Sequence, residues 1–198
     1  MRSIHWFRKG LRLHDNPALV EACRSCEHVY PVFILDPWFA KPDTVGIHRY
    51  EFLLQCLRDV DSGLRELGSR LYVVQGSPEE QLPRLFKEWN VQRLTYEFDS
   101  EPYAQIRDRK VCNIAKQQGL NVIIEHSHTL RNLESYIGAN RGTLPLSYGS
   151  FEKLFSKMGR VREDIPAPSH IPSHPSEVAG LTDAKYNVPN HQDMGYED

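Results

Sequence analysis

No apolar run in the sequence approaches membrane-spanning length, and the opening Met1-Arg2-Ser3-Ile4-His5-Trp6-Phe7-Arg8-Lys9 is too short and too charged for a secretion signal. Both features argue against insertion and export. A basic excess is also missing: 24 Lys and Arg against 26 Asp and Glu leave a formal charge of -2, so weak or no DNA binding by charge is expected of this chain alone. Cysteine is scarce, at four residues. Cys23 and Cys26 fall with Leu19 and Ala22 on one helical stripe, and Cys56 with Leu53, Leu57 and Val60 on another, so they read as small core residues in a reduced compartment. Cys23-Arg24-Ser25-Cys26 is formally C-x-x-C, but no second pair stands at zinc spacing. Gly10 stands alone where a phosphate-cradling glycine series would be, which disfavours a tightly held dinucleotide or triphosphate. His126-Ser127-His128 is the densest pair among nine histidines, yet it lacks Cys, Asp or Glu at ligand spacing and reads as a turn. Nothing resembles a nucleophile elbow or a paired catalytic acid and base, so no catalytic residue is assigned and no activity is expected from this chain alone.

What is present is enough for one domain and a tail: 198 residues, 40% of them hydrophobic, can bury a core without staples. Five β-branched or aromatic runs are the candidate strands: Ile4 to Phe7, Val29 to Leu35, Leu71 to Val74, Leu94 to Phe98, and Val122 to Ile124. Amphipathic stretches separate them, the clearest from Ile47 to Leu67 with Tyr50, Leu53, Leu57, Val60, Leu64 and Leu67 at three-and-four spacing. Asn16-Pro17 predicts a capped helix start, Ser77-Pro78-Glu79-Glu80 a capping box, and Gly68 and Gly119 helix ends. Pro31 inside the second strand predicts an irregular or edge position there, and Pro83 conflicts with the third helix, because each removes a backbone donor.

Strict alternation of strand and helix predicts an α/β fold, a doubly wound five-stranded parallel sheet; if the strand order is 3-2-1-4-5, that sheet reverses between its first and fourth strands. Its expected span is residues 1–130, with an extension of the domain over 131–164 that holds one short amphipathic segment, Phe151 to Met158. Residues 165–198, with Pro166, Pro168, Pro172, Pro175 and Pro189, read as a proline-rich interdomain linker with few buried residues.

In such a sheet the ligand crevice opens at the carboxyl ends of the strands where their order reverses. Arg8, Lys9 and Gly10 follow the first strand, Asp99, Ser100, Glu101 and Tyr103 the fourth, and Asp36, Pro37 and Phe39 the second. Arg8, Lys9 and Arg12 form a basic cluster, while Glu97, Asp99, Glu101 and Asp108 crowd one strand end beside Arg107 and Arg109. Asp36, Phe39, Glu101 and Arg107 are expected to face a common cavity.

The segment from His5 to Leu19, His-Trp-Phe-Arg-Lys-Gly-Leu-Arg-Leu-His-Asp-Asn-Pro-Ala-Leu, resembles the opening of the animal cryptochromes and (6-4) photolyases. Ile34-Leu35-Asp36-Pro37-Trp38-Phe39, Phe52 to Leu57, Pro83 to Trp89, Asp99-Ser100-Glu101-Pro102, Ser127 to Leu130, Pro145 to Tyr148 and Lys185 to Pro189 continue the likeness over nearly the whole chain. The resemblance implies the N-terminal α/β domain, with a sheet of order 3-2-1-4-5, of a flavoprotein whose role is blue-light photoreception, circadian clock regulation or DNA photorepair, with the nucleus and cytoplasm as its location. It implies that FAD belongs to a helical second domain absent from this chain, and that the parent is either a photoreceptor or a (6-4) photolyase, a lyase. In some members the strand-end crevice seats an antenna chromophore, a deazaflavin or folate; in animal cryptochromes it docks a clock transcription factor. Carried over, the resemblance points to Asp36, Pro37, Phe39, Asp99, Glu101, Tyr103 and Arg107. His48-Arg49-Tyr50 and Gln75-Gly76 depart from the usual Asn-Arg-Trp and Arg-Gly, which bears on antenna affinity. A light-independent interaction module of a clock repressor and a stand-alone nucleotide-binding protein are the alternative readings.

Overall fold

The β-branched and aromatic runs pair as strands because their side chains fill both faces of a pleated layer. The computed structural model describes residues 1–43, 45–172 and 184–196. Its strands are β1 (Arg2–Phe7), β2 (His28–Leu35), β3 (Tyr72–Gln75), β4 (Arg93–Glu97) and β5 (Asn121–Glu125). All pair in parallel, which is the α/β sheet expected from the alternation, and in the order β3-β2-β1-β4-β5 that the resemblance implies. Crossovers run through α1 (Pro17–Cys23), α2 (Ile47–Glu66), α3 (Pro78–Glu88) and α4 (Pro102–Gln117).

Alternate strand residues divide into two cores. Ile4, Trp6, Tyr30, Val32 and Ile34 pack with Leu82, Phe86, Trp89 and Val111 from the α3 and α4 side. Phe7, Val29, Phe33 and Leu35 pack with Leu19, Ala22, Leu54, Leu57 and Leu64 from α1 and α2. In α2 the stripe Tyr50, Leu57, Val60 and Leu64 is buried, joined by Leu54 where periodicity pointed to Leu53, which is half-buried. Gly68 and Gly119 take left-handed φ angles of 82° and 80° just past α2 and α4, as helix ends require. Pro31 pairs with His5 of β1, whereas pairing with β3 begins at Val32, so the proline falls where β2 has a single strand neighbour. Pro83 stays inside α3 without ending it.

Some local expectations are corrected. The Ser77 hydroxyl makes no cap to α3; it donates to Glu79 Oε2 at 2.8 Å, so the capping box does not form there. A reciprocal box appears instead at Ser147 and Ser150, opening α6 (Tyr148–Lys157). A seven-residue helix, α5 (Leu133–Ala139), stands where the sequence read only turns; Asn132 caps it by accepting the Glu134 N–H at 2.9 Å. Cys26 lies beyond the end of α1 and so does not continue its stripe.

Residues from 165 onward bury more than a linker composition predicts. The Ile165 carbonyl accepts the Asp15 N–H at 2.6 Å, the Pro172 carbonyl accepts the Val29 N–H at 3.1 Å, and Ile171 is wholly buried against α2. Tyr186 joins the core on the α3 side, and Tyr196 stacks on Tyr50 with ring centroids 4.9 Å apart. Apolar anchors, rather than the proline content, decide the path of these stretches. Pro175 lies outside the described residues.

His5 links β1, β4 and α1. The Asn16 amide that caps α1 through its Oδ1, 3.0 Å from the Leu19 nitrogen, directs its Nδ2 to His5 Nε2 at 3.3 Å. That leaves Nε2 as acceptor and His5 Nδ1–H as donor to Thr95 Oγ1 at 3.0 Å. Burial, helped by the Arg8 charge, pushes the His5 pKa down from 6.5 to about 3. Between those values the unfolded chain binds a proton that the folded chain does not, so stability is complete above the unfolded pKa and is lost as the pH falls. Folding stability is expected to drop by roughly 1.4 kcal/mol per pH unit in that window, or about 2 kcal/mol at about pH 5. Urea midpoints at about pH 7 and about pH 5 measure it; an unchanged slope in His5→Gln would show that another group is responsible.

Candidate site at the strand ends

β1 and β4 are neighbours whose following loops diverge, so Arg8 and Lys9 meet the residues that open α4. Arg8 is buried, and its Nη1 donates to Asp108 Oδ2. The other Asp108 oxygen accepts Arg107 Nε at 3.0 Å and Nη2 at 2.9 Å. One carboxylate therefore serves two buried guanidinium groups, and Arg8 Nε and Nη2 have no hydrogen-bond partner among the described residues. Aromatic faces supply the remaining contacts. Arg8 lies 5.0 Å from the Trp6 ring centroid and 4.9 Å from Tyr96, and Arg107 lies 4.9 Å from Trp6 and 5.6 Å from Tyr103. Burial pushes the Arg8 pKa down; Asp108 opposes it and Arg107 adds to it.

Outside this cluster, Tyr103 donates its hydroxyl to Asp36 Oδ2 at 2.7 Å, and burial together with that carboxylate raises the phenol pKa. Asp36 is itself buried and accepts the Trp38 N–H at 3.0 Å, which sets the turn after β2. Trp38 consequently lies flat on Tyr103, with centroids 4.4 Å apart and planes 11° from parallel, while 64% exposed. At the rim, Lys9 Nζ reaches Asp99 at 3.2 Å and Glu101 at 2.5 Å. Burial raises the Asp99 pKa, but the Glu101 N–H and Lys9 outweigh it and hold this carboxyl below its ordinary value.

The structure thus brings together Arg8, Lys9, Asp36, Asp99, Glu101, Tyr103 and Arg107, but not around one cavity. Arg107 is tied to Asp108 and reaches Asp36 only through Tyr103; Glu101 stays at the rim with Lys9. Pro37 is exposed, and Phe39 turns into the core beside Phe33, 6.5 Å between centroids. Of the residues that matter, sequence reasoning placed Asp108 only in an acidic crowd and missed Trp6, Tyr96 and Trp38. Their signal was parity: Trp6 shares the sheet face of Ile4, so a side chain reaching back from Arg8 must meet it.

A second polar cluster closes the gap beside Gly10. Buried Glu97 accepts the Ser127 hydroxyl and faces Arg12 at 3.6 Å and His128 Nε2 at 3.5 Å. A Cβ on Gly10 would lie 2.0 Å from Glu97 Oε2, so only glycine allows this approach. The His126-Ser127-His128 turn is therefore a packed element in which burial lowers the His128 pKa against the opposing charge of Glu97.

The DNA photolyase family model matches residues 3–169. This chain belongs to the DNA photolyase family. It is 45% identical over 199 residues to Cryptochrome-1 of Erithacus rubecula, an alignment covering all of this chain and 32% of that protein. The chain therefore spans about a third of such a relative's length and corresponds to the N-terminal domain of the cryptochrome and photolyase flavoproteins. Among solved structures, a Synechocystis sp. PCC6803 cryptochrome superimposes with a TM-score of 0.79 at 24% identity, over 89% of this chain and 38% of that one, which shows the shared fold. An archaeal photolyase from Sulfolobus tokodaii, described with two FAD molecules and an implied novel light-harvesting cofactor, gives a TM-score of 0.70 at 28% identity over 86% of this chain and 38% of its own.

Proposed function

We propose that this photolyase-family domain serves a light-responsive flavoprotein and that its strand-end cluster is a ligand seat. The observation that carries this reading is a buried arginine, Arg8, with two donors unpaired among the described residues, joined through Asp108 and Arg107 to the exposed, flat Trp38–Tyr103 stack. Unpaired buried donors cost free energy until an acceptor arrives, and a parallel indole–phenol pair offers a face to a planar ring. A deazaflavin or folate antenna has both features, a planar ring system and oxygen acceptors, and would supply light absorption. Trp38 and Tyr103 would orient the ring, and Arg8 and Arg107 would hold the acceptor side. The Sulfolobus tokodaii relative, with its implied light-harvesting cofactor, lends weight to this assignment. FAD is assigned to the helical second domain of the parent, because no glycine series here approaches a diphosphate.

That helical domain is the proposed partner of the stretch 124–151. Ile124, Leu130, Leu144, Leu146 and Tyr148 are exposed there, Leu146 completely, an unusual concentration of bare apolar side chains. Residues 165–198 would then lead from one domain to the other. Nuclear and cytoplasmic location, and a parental role in photoreception, clock control or photorepair, belong to the same proposal.

The test is absorption after mixing the purified chain with a deazaflavin or folate and desalting. Retained near-ultraviolet or blue absorption is expected, and Trp38→Ala should weaken binding by about 0.5–1.5 kcal/mol, the worth of an aromatic stack. Equal binding by both proteins would overturn the seat. A second reading is favoured by the 64% exposure of Trp38 and the charged Lys9–Glu101 rim: docking of a clock transcription factor rather than a chromophore. Failure to retain chromophore, with Trp38-dependent capture of such a factor, would select it.

A further inference from the structure

The opposite end of the sheet, where the strands begin, carries a pair of cysteines that the ligand seat does not use. Cys23 is the last residue of α1, and Cys26 stands two residues before β2. Between them Arg24 has φ -64° and ψ 116° and Ser25 has φ 54°, the angles of a type II turn, and the Cys26 N–H donates to the Cys23 carbonyl at 3.3 Å. Corner residues of such a turn have α-carbons within about 7 Å, the range that a disulfide spans. Both thiols are free and half-buried, while Arg24 and Ser25 between them are exposed.

The turn is held from outside. Arg93 at the start of β4 donates through Nη1 to the carbonyls of Glu21 at 2.9 Å and Arg24 at 2.7 Å, and the same atom lies 3.6 Å from Cys26 Sγ. Its Nε is buried without a hydrogen-bond partner among the described residues. A guanidinium is thus fixed beside one sulfur of a preorganised pair, and Ser25 occupies a left-handed conformation that a non-glycine residue adopts only under constraint. Burial raises both thiol pKa values, Cys23 to about 11, while Arg93 and the chain amino terminus pull against it at Cys26. The Arg93 guanidinium, 3.6 Å from Cys26 Sγ, marks Cys26 as the attacking sulfur and Cys23 as the resolving one.

We propose that Cys23 and Cys26 form a redox-active dithiol that closes to an intramolecular disulfide by exchange with a low-molecular-weight disulfide. The Cys26 thiolate attacks one sulfur of the small disulfide, breaks its S–S bond and expels one thiolate, leaving a mixed disulfide. The Cys23 thiolate then attacks the Cys26 sulfur and expels the second small thiolate. Two electrons and two protons pass from the protein dithiol to the small disulfide, which becomes two thiols.

Equilibration of the full chain with oxidised and reduced glutathione, alkylation of remaining thiols and tryptic mapping tests this. Cleavage after Arg24 separates the two cysteines into peptides 13–24 and 25–49, so a closed bridge appears as those peptides joined. The native chain is expected to reach half closure at a thiol-to-disulfide ratio about tenfold more reducing than the same chain in concentrated urea, because the fold positions the two sulfurs. Cys23→Ser should instead accumulate glutathione on Cys26. Free thiols or mixed disulfides alone in the native chain, closure as easy in urea as in the fold, or no adduct on Cys26 in Cys23→Ser would each overturn the proposal.

Discussion

Asp108→Asn is expected to cost about 3–5 kcal/mol of folding stability, the range for removing one partner of a buried ion pair. The side chain is nearly isosteric, so packing changes little and the charge is what is lost. Asp108 is the counter-ion of both Arg8 and Arg107, and all three residues are buried. Without it two guanidinium groups face the same Trp6 ring and repel each other in a poorly solvated site. An exposed pair gives the comparison. Arg84 and Glu88 sit one helical turn apart at 2.8 Å with side chains 40% and 45% exposed, against 5–12% in the strand-end cluster, so Glu88→Gln should cost only about 0–1 kcal/mol. Urea unfolding of the two variants separates the cases. Equal losses would mean that the strand-end cluster is hydrated and that Arg8 is no reservoir of unpaired donors.

Trp89→Ala should be equally damaging, at about 3–5 kcal/mol, for a different reason. Trp89 is the C-cap residue of α3, through its backbone N–H, and its indole is 2% exposed, within 4.9 Å of the Tyr30 ring, 5.3 Å of Tyr72 and 5.7 Å of Tyr186, centroid to centroid. Removing it opens a cavity that four elements line and that rigid rings cannot refill. Tyr186 belongs to the segment beyond residue 183, so the same substitution should free that segment locally and speed tryptic cleavage at Lys185. Trp38→Ala, at a 64% exposed indole, is the control and should leave both measurements nearly unchanged. Slow cleavage at Lys185 in Trp89→Ala would show that Tyr72 alone anchors Tyr186.

Sequence and fold agree best where the signal is local and repeated. The five apolar runs and the amphipathic α2 stripe are periodic over many residues, and a parallel sheet is the compact way to connect such strands through helices. Asn16, Gly68 and Gly119 act on backbone groups within a few residues of themselves, so their roles as cap and helix ends were also legible. α5 was not, because seven residues carry too little periodicity to outweigh the surrounding turn formers. The buried anchors Ile171, Tyr186 and Tyr196 were hidden by the proline-rich composition around them, since composition averages over residues that individually find a core.

The strand-end site divides in the same way. The sequence by itself determined the alternation of parallel strands and helices, and with it that Arg8, Asp36, Asp99 and Tyr103 follow the carboxyl ends of strands, with Arg107 one turn further along α4. Tertiary structure decided which of them pair. Arg107 directly precedes Asp108 in the chain and lies one turn of α4 beyond Tyr103, so whether it turns toward Asp36, Glu101 or Asp108 depends on where Trp6 and Arg8 already stand. The two cysteines show the same limit. Their C-x-x-C spacing was plain in the sequence, but the turn that brings them together is pinned by Arg93, about seventy residues away on β4, and contacts at that separation are set by the fold rather than by local pattern.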